Sequence, residues 1–194
     1  MNPATDVTVC IPSHQPRLVA GFLDRAVASV TTQTSPVAAI SIAVDYAREG
    51  AGPTRNRAMQ ASATEWLVLL DSDDELCPTF VERCAAHAAL TEADVVFPWF
   101  DVVGGTDPFP QFFGRQFDPN NPHQFPITTL LRRSVAEAVG WMPPVKLFPG
   151  RAAQEDFAFW VAVGQSGAKI EHLSERLWCW YHNSANTGGR QDRW

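Results

Sequence analysis

The strongest constraint on the fold is a series of short apolar runs that each end in polar residues. The runs are VTVCIP (7–12), AISIAVD (39–45) and WLVLL (66–70). Apolar runs of this length, rich in β-branched side chains, are typical of strands buried on both faces of a sheet. Helical patterns separate them: in the first, apolar residues recur every four positions over 20–32. This alternation predicts an α/β domain with a largely parallel sheet covered by helices on both faces.

The remaining elements follow from the same patterns. Pro53 is expected as the first residue of a second helix, and Pro78 as the first residue of a third. A strand is predicted over 94–103, with Pro98 marking a bulge or an edge position. A loop is predicted over 104–126, which is rich in proline and aromatic residues. Further expected elements are a short strand at 127–131, a helix at 154–167, and two final strands in AKIEHL and RLWCWYH.

The composition is that of a globular chain. Of its 194 residues, 45% are hydrophobic and 19% are charged, which fits one domain with a sizeable core. No apolar run approaches the ~20 residues that cross a bilayer, and the N-terminus lacks the pattern of a signal peptide. We therefore expect a soluble, cytoplasmic protein without an integral membrane segment.

The net charge of −6 is unevenly distributed along the chain. Residues 1–114 carry −8 and residues 115–194 carry +2. The acidic part suits a metal ion, and the weak basic excess of the second part is compatible with an anionic partner. The negative total disfavours nucleic acid as a partner.

The sequence WLVLLDSDDE (66–75) brings a buried strand directly into four acids within five positions. In open α/β sheets, ligands bind beyond the carboxyl ends of the strands. In extended backbone Asp71 and Asp73 project to the same side. Two such carboxylates suit a hard divalent cation, which would in turn hold a diphosphate. The alternative at this point is a purely structural, Asp-rich turn before the helix near Pro78.

The order of the motifs resembles that of the family-two glycosyltransferases. The matching pieces are VTVCIPSH, AVD, GAGPTRNRAM, LVLLDSDDEL, TTLLRRSVAEAVGW and QEDFAFWVAVGQSGAKIEHLSERLWCWYHNSANT. The resemblance implies a single GT-A domain over 1–182, with a Rossmann-like, mostly parallel mixed sheet. It implies a nucleotide-sugar and metal part in 1–97 and an acceptor and catalytic-base part in 98–182. Residues 183–194 are expected to form a flexible tail.

The resemblance also implies which residues bind the donor. Pro12 and Ser13 would border the nucleotide base, and Asp45 would hydrogen-bond it. Arg55 would reach the ribose or the phosphates, and Asp71 would contact the ribose. The family often has a second acid after the one at Asp45, where this chain has Tyr46.

Metal and catalytic roles are implied in the same way. Asp73 would be the principal ligand of Mn²⁺ or Mg²⁺, with contributions from Asp71 and His182. Asp156 would be the general base that takes the proton of the acceptor hydroxyl, whose oxygen attacks the anomeric carbon opposite the leaving UDP and inverts it. The structural alternative is that Glu155 and Asp156 only complement a helix dipole.

The resemblance thus predicts a metal-dependent, inverting glycosyltransferase that uses a UDP-sugar. Two alternatives remain: a GT-A module that binds a nucleotide or sugar without transfer, and a sugar-phosphate nucleotidyltransferase. The joint presence of Asp71, Asp73 and Asp156 disfavours the first. The lack of a glycine-rich loop in IPSHQPR disfavours the second.

The acceptor is open: a saccharide or glycoconjugate is favoured over a protein side chain or a hydroxylated base in nucleic acid. Family members build the acceptor site where this chain has its aromatic loop, which predicts that some of its rings stack on the acceptor. The candidate rings are Trp99, Phe109, Phe112, Phe113, Phe117 and Phe125. The identity of the sugar and the oligomeric state do not follow from the sequence.

Overall fold

The chain folds as alternating strands and helices, which confirms the α/β class. The structure, a computed structural model, describes residues 6–15, 18, 21–122, 126–143 and 155–182. Its elements are β1 (Val7–His14), α1 (Phe22–Thr31), β2 (Ala39–Asp45), α2 (Ala51–Gln60), β3 (Trp66–Leu69), β4 (Glu75–Leu76), α3 (Phe80–Thr91), β5 (Val95–Val103), a 3-10 turn (Pro110–Phe112), β6 (Leu130–Arg132), α4 (Arg133–Ala138), α5 (Glu155–Gln165) and β7 (Ile170–Tyr181).

The strands form one mixed sheet. Within the described residues the sheet has seven strands in the order β2-β1-β3-β6-β5-β7-β4. The β1–β2, β1–β3 and β5–β7 pairs are parallel, and the β3–β6, β5–β6 and β4–β7 pairs are antiparallel. Because β1, β2 and β3 run in the same direction, their carboxyl ends meet at one edge. His14 pairs with Asp45 at that edge.

Helices cover both faces of the sheet. Side chains alternate across β1, so that Val9 and Ile11 join one apolar cluster and Cys10 joins the other. The first cluster includes residues of α1 and α3. The second includes residues of α2 and α5, among them the fully buried Phe159. Helices α1 and α2 therefore approach the carboxyl edge from opposite faces.

The C-terminal strand corrects one prediction, because AKIEHL and RLWCWYH form a single strand rather than two. Strand β7 pairs with β5 along its whole length, with register shifts on either side of Trp99. Leu173 pairs with Pro98 and Arg176 with Trp99, so two residues of β7 bulge out between them. Proline has no N–H to donate, which explains why the irregularity lies here.

The starts of two helices also differ from the prediction. Helix α2 begins at Ala51 because Gly50, with a φ of +97°, turns the chain into the helix two residues before Pro53. Pro53 still lies in the first turn, where its missing N–H is not needed. Helix α3 begins at Phe80, and the two residues of β4 were not predicted as a strand. So short a strand has no recognisable periodicity and is defined only by its pairing with β7.

None of the described helices has the length and hydropathy that crossing a bilayer requires. The predicted loop after β5 is confirmed over 104–122, apart from the 3-10 turn. The expected tail at 183–194 lies outside the described residues. The division of the domain at residue 97 stays a prediction.

Candidate active site

Residues 71–75, which we name the acid loop, lead from the end of β3 into the first residue of β4 at the carboxyl edge of the sheet. One carboxylate oxygen from each of Asp71, Asp73 and Asp74 lies within 4.8 Å of the other two. Asp73 and Asp74 are each 3% exposed. Two like charges at such a distance repel by roughly 3 kcal/mol at an effective dielectric constant of about 20. Carboxylate oxygens are the ligands that Mg²⁺ and Mn²⁺ prefer, so the donor set fits a hard divalent cation.

A turn, rather than extended backbone, gathers these carboxylates. Strand β3 ends at Leu69, and the Asp74 N–H donates a hydrogen bond to the Asp71 carbonyl oxygen at 3.1 Å. Such a bond between residues i and i+3 closes a β-turn, a conformation that Asp and Ser favour. The carboxylates of Asp71 and Asp73 therefore converge as expected, but a turn rather than extended backbone brings them together, and it brings Asp74 into the cluster as well.

Arg55, on α2, joins the acid loop to the start of α5. Its Nη2 donates to both carboxylate oxygens of Asp71, at 2.8 and 3.0 Å, and its Nη1 donates to Glu155 Oε1 at 2.8 Å. We name these three residues the inner bridge. Burial alone would lower the pKa of the Arg55 guanidinium, but the surrounding carboxylates, Asp71 first, outweigh it and raise that pKa above its usual range. The arginine is thus charged and engaged by protein groups, and its contact with ribose or phosphate stays a prediction.

Asp156 lies beside the inner bridge in the first turn of α5. Burial raises the pKa of its carboxyl to about 6 against the opposing charge of Arg55, and the charges of Glu155 and Asp71 add to the rise. The Phe157 N–H donates to Asp156 Oδ1 at 2.7 Å, and this hydrogen bond partly offsets the rise in the pKa. A carboxylate with a pKa near neutrality is ionised at pH 7 and accepts a proton more readily than an ordinary one, as a general base requires.

The predicted base-binding residues lie together at the ends of β1 and β2. Asp45 accepts hydrogen bonds from the N–H groups of Glu49 and Gly50, at 3.0 and 2.8 Å. Burial raises the pKa of the Asp45 carboxyl, but these bonds and the charge of Arg57 outweigh it, so the pKa is lowered. Pro12 and Ser13 are buried, and Ser13 Oγ has no hydrogen-bond partner among the described residues. Their contacts with a nucleotide stay predictions.

His182 lies just beyond β7, against the turn that follows β5. Its backbone N–H donates to the Val103 carbonyl oxygen at 2.9 Å, and its ring packs edge-on against Trp180 at 4.4 Å. A Cβ atom on Gly105 would lie 2.6 Å from His182 Nδ1, so the ring is tightly seated. Among the described residues, the cluster able to hold a metal includes Asp74 and not His182. The assignment of His182 to the metal stays a prediction.

Arg25, on α1, holds the acid loop from the other face of the sheet, and it was not among the residues predicted for the site. Its Nη2 donates to the Asp73 carbonyl oxygen at 2.7 Å, and its Nε lies 2.6 Å from Glu75 Oε1. The guanidinium carbon lies 3.8 Å from the centroid of the Tyr181 ring. We name Arg25, Glu75 and Tyr181 the outer clasp. A single arginine on an amphipathic helix has no local pattern that would distinguish it from a solvated one.

The aromatic loop after β5 divides into core and surface residues. Phe117 is buried and Phe113 is 41% exposed, while Trp99 lies within β5 rather than in the loop and is fully buried. His172 anchors the loop, because its Nε2 accepts the Gly114 N–H at 2.8 Å. Phe109 and Phe112 are partly buried against the core, and Phe125 lies outside the described residues. Among the candidate rings that the structure describes, Phe113 is therefore the most exposed.

Comparison with solved structures shows the fold. S. aureus TarS 1-349 in complex with UDP has a TM-score of 0.74 and 16% sequence identity, over 92% of this chain and 61% of that chain. The same fragment in complex with UDP-GlcNAc gives 0.75 and 16%, over 94% and 60%. S. aureus TarS gives 0.75 and 15%, over 93% of this chain and 37% of that chain. This chain thus spans about three fifths of the TarS fragments.

Comparison of sequences shows the family. No curated protein sequence matches the chain. The family model described as "Glycosyl transferase family 2" matches residues 40–140, more than half of the chain. The matched segment contains Asp45, Arg55 and the acid loop. The chain belongs to glycosyl transferase family 2.

Proposed function

We propose that this protein transfers a sugar from a UDP-sugar to an acceptor hydroxyl, with a divalent cation and with inversion at the anomeric carbon. One observation carries the proposal. The inner bridge joins the carboxylate cluster of the acid loop to helix α5, and the second residue of that helix, Asp156, has a carboxyl pKa of about 6. The family membership supports a nucleotide-sugar donor. The UDP and UDP-GlcNAc in the TarS structures support uracil as its base.

The acid loop supplies the ligands for the cation. Asp71, Asp73 and Asp74 would hold Mn²⁺ or Mg²⁺, which when bound neutralises the charge that develops on the leaving diphosphate. Asp71 also receives two hydrogen bonds from Arg55, so its orientation is fixed by the protein. The near-complete burial of Asp73 and Asp74 restricts their movement in the same way. These residues are therefore positioned before the donor binds.

Asp156 supplies the base. As the acceptor oxygen forms its bond to the anomeric carbon, the bond from that carbon to the UDP oxygen breaks, and the acceptor proton passes to the Asp156 carboxylate. One displacement of this kind inverts the anomeric centre. Arg55 holds Glu155 next to the base, which fixes where α5 begins relative to the acid loop.

A saccharide or glycoconjugate is the proposed acceptor. Phe113 is 41% exposed, and an aromatic ring at the surface is of the kind that packs on the C–H surface of a sugar ring. The net charge of −6 disfavours a nucleic-acid acceptor. A panel of saccharides, hydroxyl-bearing peptides and DNA with hydroxylated bases would separate the three classes by the rate of UDP release.

Thermal unfolding in the presence of UDP, GDP, TDP or CMP, each with and without Mn²⁺, tests the donor site. A ligand that binds only the folded state raises the melting temperature with its concentration. We expect a rise with UDP that requires Mn²⁺ and is lost in Asp73→Ala. Asp101→Ala, which removes an acid that is 62% exposed on β5, is the matched control and should keep it.

The outcomes separate the alternatives. No rise with any nucleotide would contradict the proposal and leave the acid loop as a structural turn. Binding of UDP without release of UDP from any UDP-sugar would indicate a non-catalytic module. Formation of pyrophosphate from UTP and a sugar 1-phosphate would indicate a nucleotidyltransferase.

A further inference from the structure

We infer that Arg25 is a positioning residue that fixes the acid loop in the conformation that binds the cation. The inference rests on the proposed function, because it concerns the same cation. Arg25 is the one residue of α1 whose described hydrogen bonds reach the backbone of the acid loop, through the Asp73 carbonyl oxygen at 2.7 Å. This contact holds the peptide group of Asp73 and does not involve its carboxylate.

The second contact of Arg25 is with Glu75, and it sets this acid apart from the three clustered aspartates of the acid loop. Arg25 Nε lies 2.6 Å from Glu75 Oε1, and the Glu75 side chain is 26% exposed. The ion pair offsets one negative charge in a segment that carries four. It also directs Glu75 toward α1, while the carboxylates of Asp71, Asp73 and Asp74 converge on one another.

Tyr181 completes the outer clasp from the end of β7. Its ring packs on the Arg25 guanidinium at 3.8 Å, a cation–π geometry. Its backbone N–H donates to Asp74 Oδ1 at 3.0 Å. Arg25 and Tyr181 therefore restrain three consecutive acids of the loop. Asp73 is held through its carbonyl oxygen, and Asp74 and Glu75 are held through their carboxylates.

Removal of the guanidinium should loosen the loop without unfolding the domain. Arg25 is 35% exposed and lies outside the inner bridge. In Arg25→Met the Asp73 carbonyl oxygen loses the hydrogen bond from Arg25, and the charge of Glu75, no longer paired with Arg25, again repels the neighbouring carboxylates. We expect the Kd of Mn²⁺ in the presence of UDP to rise about tenfold. Arg25→Lys should recover only part of this, because one ammonium group cannot match the planar fork that serves three partners.

The experiment measures Mn²⁺ bound to the whole 194-residue chain at saturating UDP, from the electron paramagnetic resonance signal of unbound Mn²⁺. This readout does not depend on turnover. Arg83→Met is the matched control, because Arg83 is also half-exposed and pairs with a glutamate, Glu175, on another element. Asp73→Ala serves as the variant without a principal ligand. Circular dichroism at the assay temperature establishes that each variant is folded.

A rise in Kd for Arg25→Met, an intermediate value for Arg25→Lys and no change for Arg83→Met would support the inference. Tyr181→Leu should weaken binding more than Tyr181→Phe, which keeps the ring over Arg25. Wild-type affinity in a folded Arg25→Met would overturn the inference and leave the proposed function intact. If the wild-type protein binds Mn²⁺ no better than Asp73→Ala, both the proposed function and the inference are wrong.

Discussion

The inner bridge and the outer clasp both use an arginine to hold the acid loop, but in different surroundings. The Arg55 side chain is 7% exposed and its partners Glu155 and Asp71 are 6% and 23% exposed. Arg25 and its partner Glu75 are 35% and 26% exposed. A buried ion pair that loses one partner leaves an uncompensated charge in the interior, whereas an exposed pair contributes little. The inner bridge should therefore determine whether the site assembles, and the outer clasp how well its loop is aligned.

The largest expected effect is on the base beside the inner bridge. Asp156→Asn keeps the shape of the side chain but cannot accept the acceptor proton, so we expect the rate of UDP release to fall by about 10²- to 10⁴-fold. Binding of UDP with Mn²⁺ should persist, because Asp156 is not among the clustered metal ligands. Steady-state kinetics and thermal shift measure the two quantities. A variant that retains most of its activity would contradict the assignment.

Removal of the inner arginine should cost the most stability. In Arg55→Met the carboxylates of Asp71 and Glu155 lose their buried counter-charge, and we expect the free energy of unfolding to fall by about 3–5 kcal/mol. Urea denaturation measures it. Arg57→Met, on the same helix, is the control: Arg57 is 41% exposed, pairs with Glu49, and should cost less than about 1 kcal/mol. Equal losses in the two variants would remove the basis of the comparison.

The pKa of Asp156 predicts how stability depends on pH. Its pKa is about 6 in the folded protein against an ordinary value of 3.8 for an aspartate, so the folded state holds the proton more tightly. The resulting stabilisation is present at acid pH and is lost as the pH rises from about 4 through about 6. We expect a loss of roughly 2–3 kcal/mol in this window that is absent in Asp156→Asn.

Urea denaturation of the two proteins across this range measures that difference. The rate of UDP release should change in the opposite direction, rising as Asp156 ionises near pH 6. Parallel stability curves for wild type and Asp156→Asn would show that the carboxyl titrates normally.

Of the two arginines that hold the acid loop, Arg25 of the outer clasp should have the smaller effect on stability. Arg25→Met removes a half-exposed ion pair and a cation–π contact, so we expect a loss of only about 1 kcal/mol in the free energy of unfolding. The same variant should show the weakened Mn²⁺ binding proposed above. A stability loss as large as that of Arg55→Met would mean that the two arginines have the same role.

Local sequence patterns were sufficient for most elements and for the edge at which the site lies. The bounds of β2, 39–45, were predicted as observed, and β5 and α1 differ by one or two residues. The position of Asp45 and Asp71 at one edge followed from the parallel direction of β1–β3. These features depend on periodicity and on strand direction, both of which are encoded over a few neighbouring residues.

The family, the fold class and the acidic segment at the edge of the sheet were thus determined by the sequence alone. Tertiary structure decided which groups meet there: Arg55 with Glu155, 100 residues away, Arg25 with Asp73, 48 away, and Asp74 with Tyr181, 107 away. Each pairing depends on the strand order, including the antiparallel insertion of β6 between β3 and β5. A periodic pattern shows which face of an element is apolar. Which residue, distant in the sequence, a side chain contacts is decided by how the elements pack.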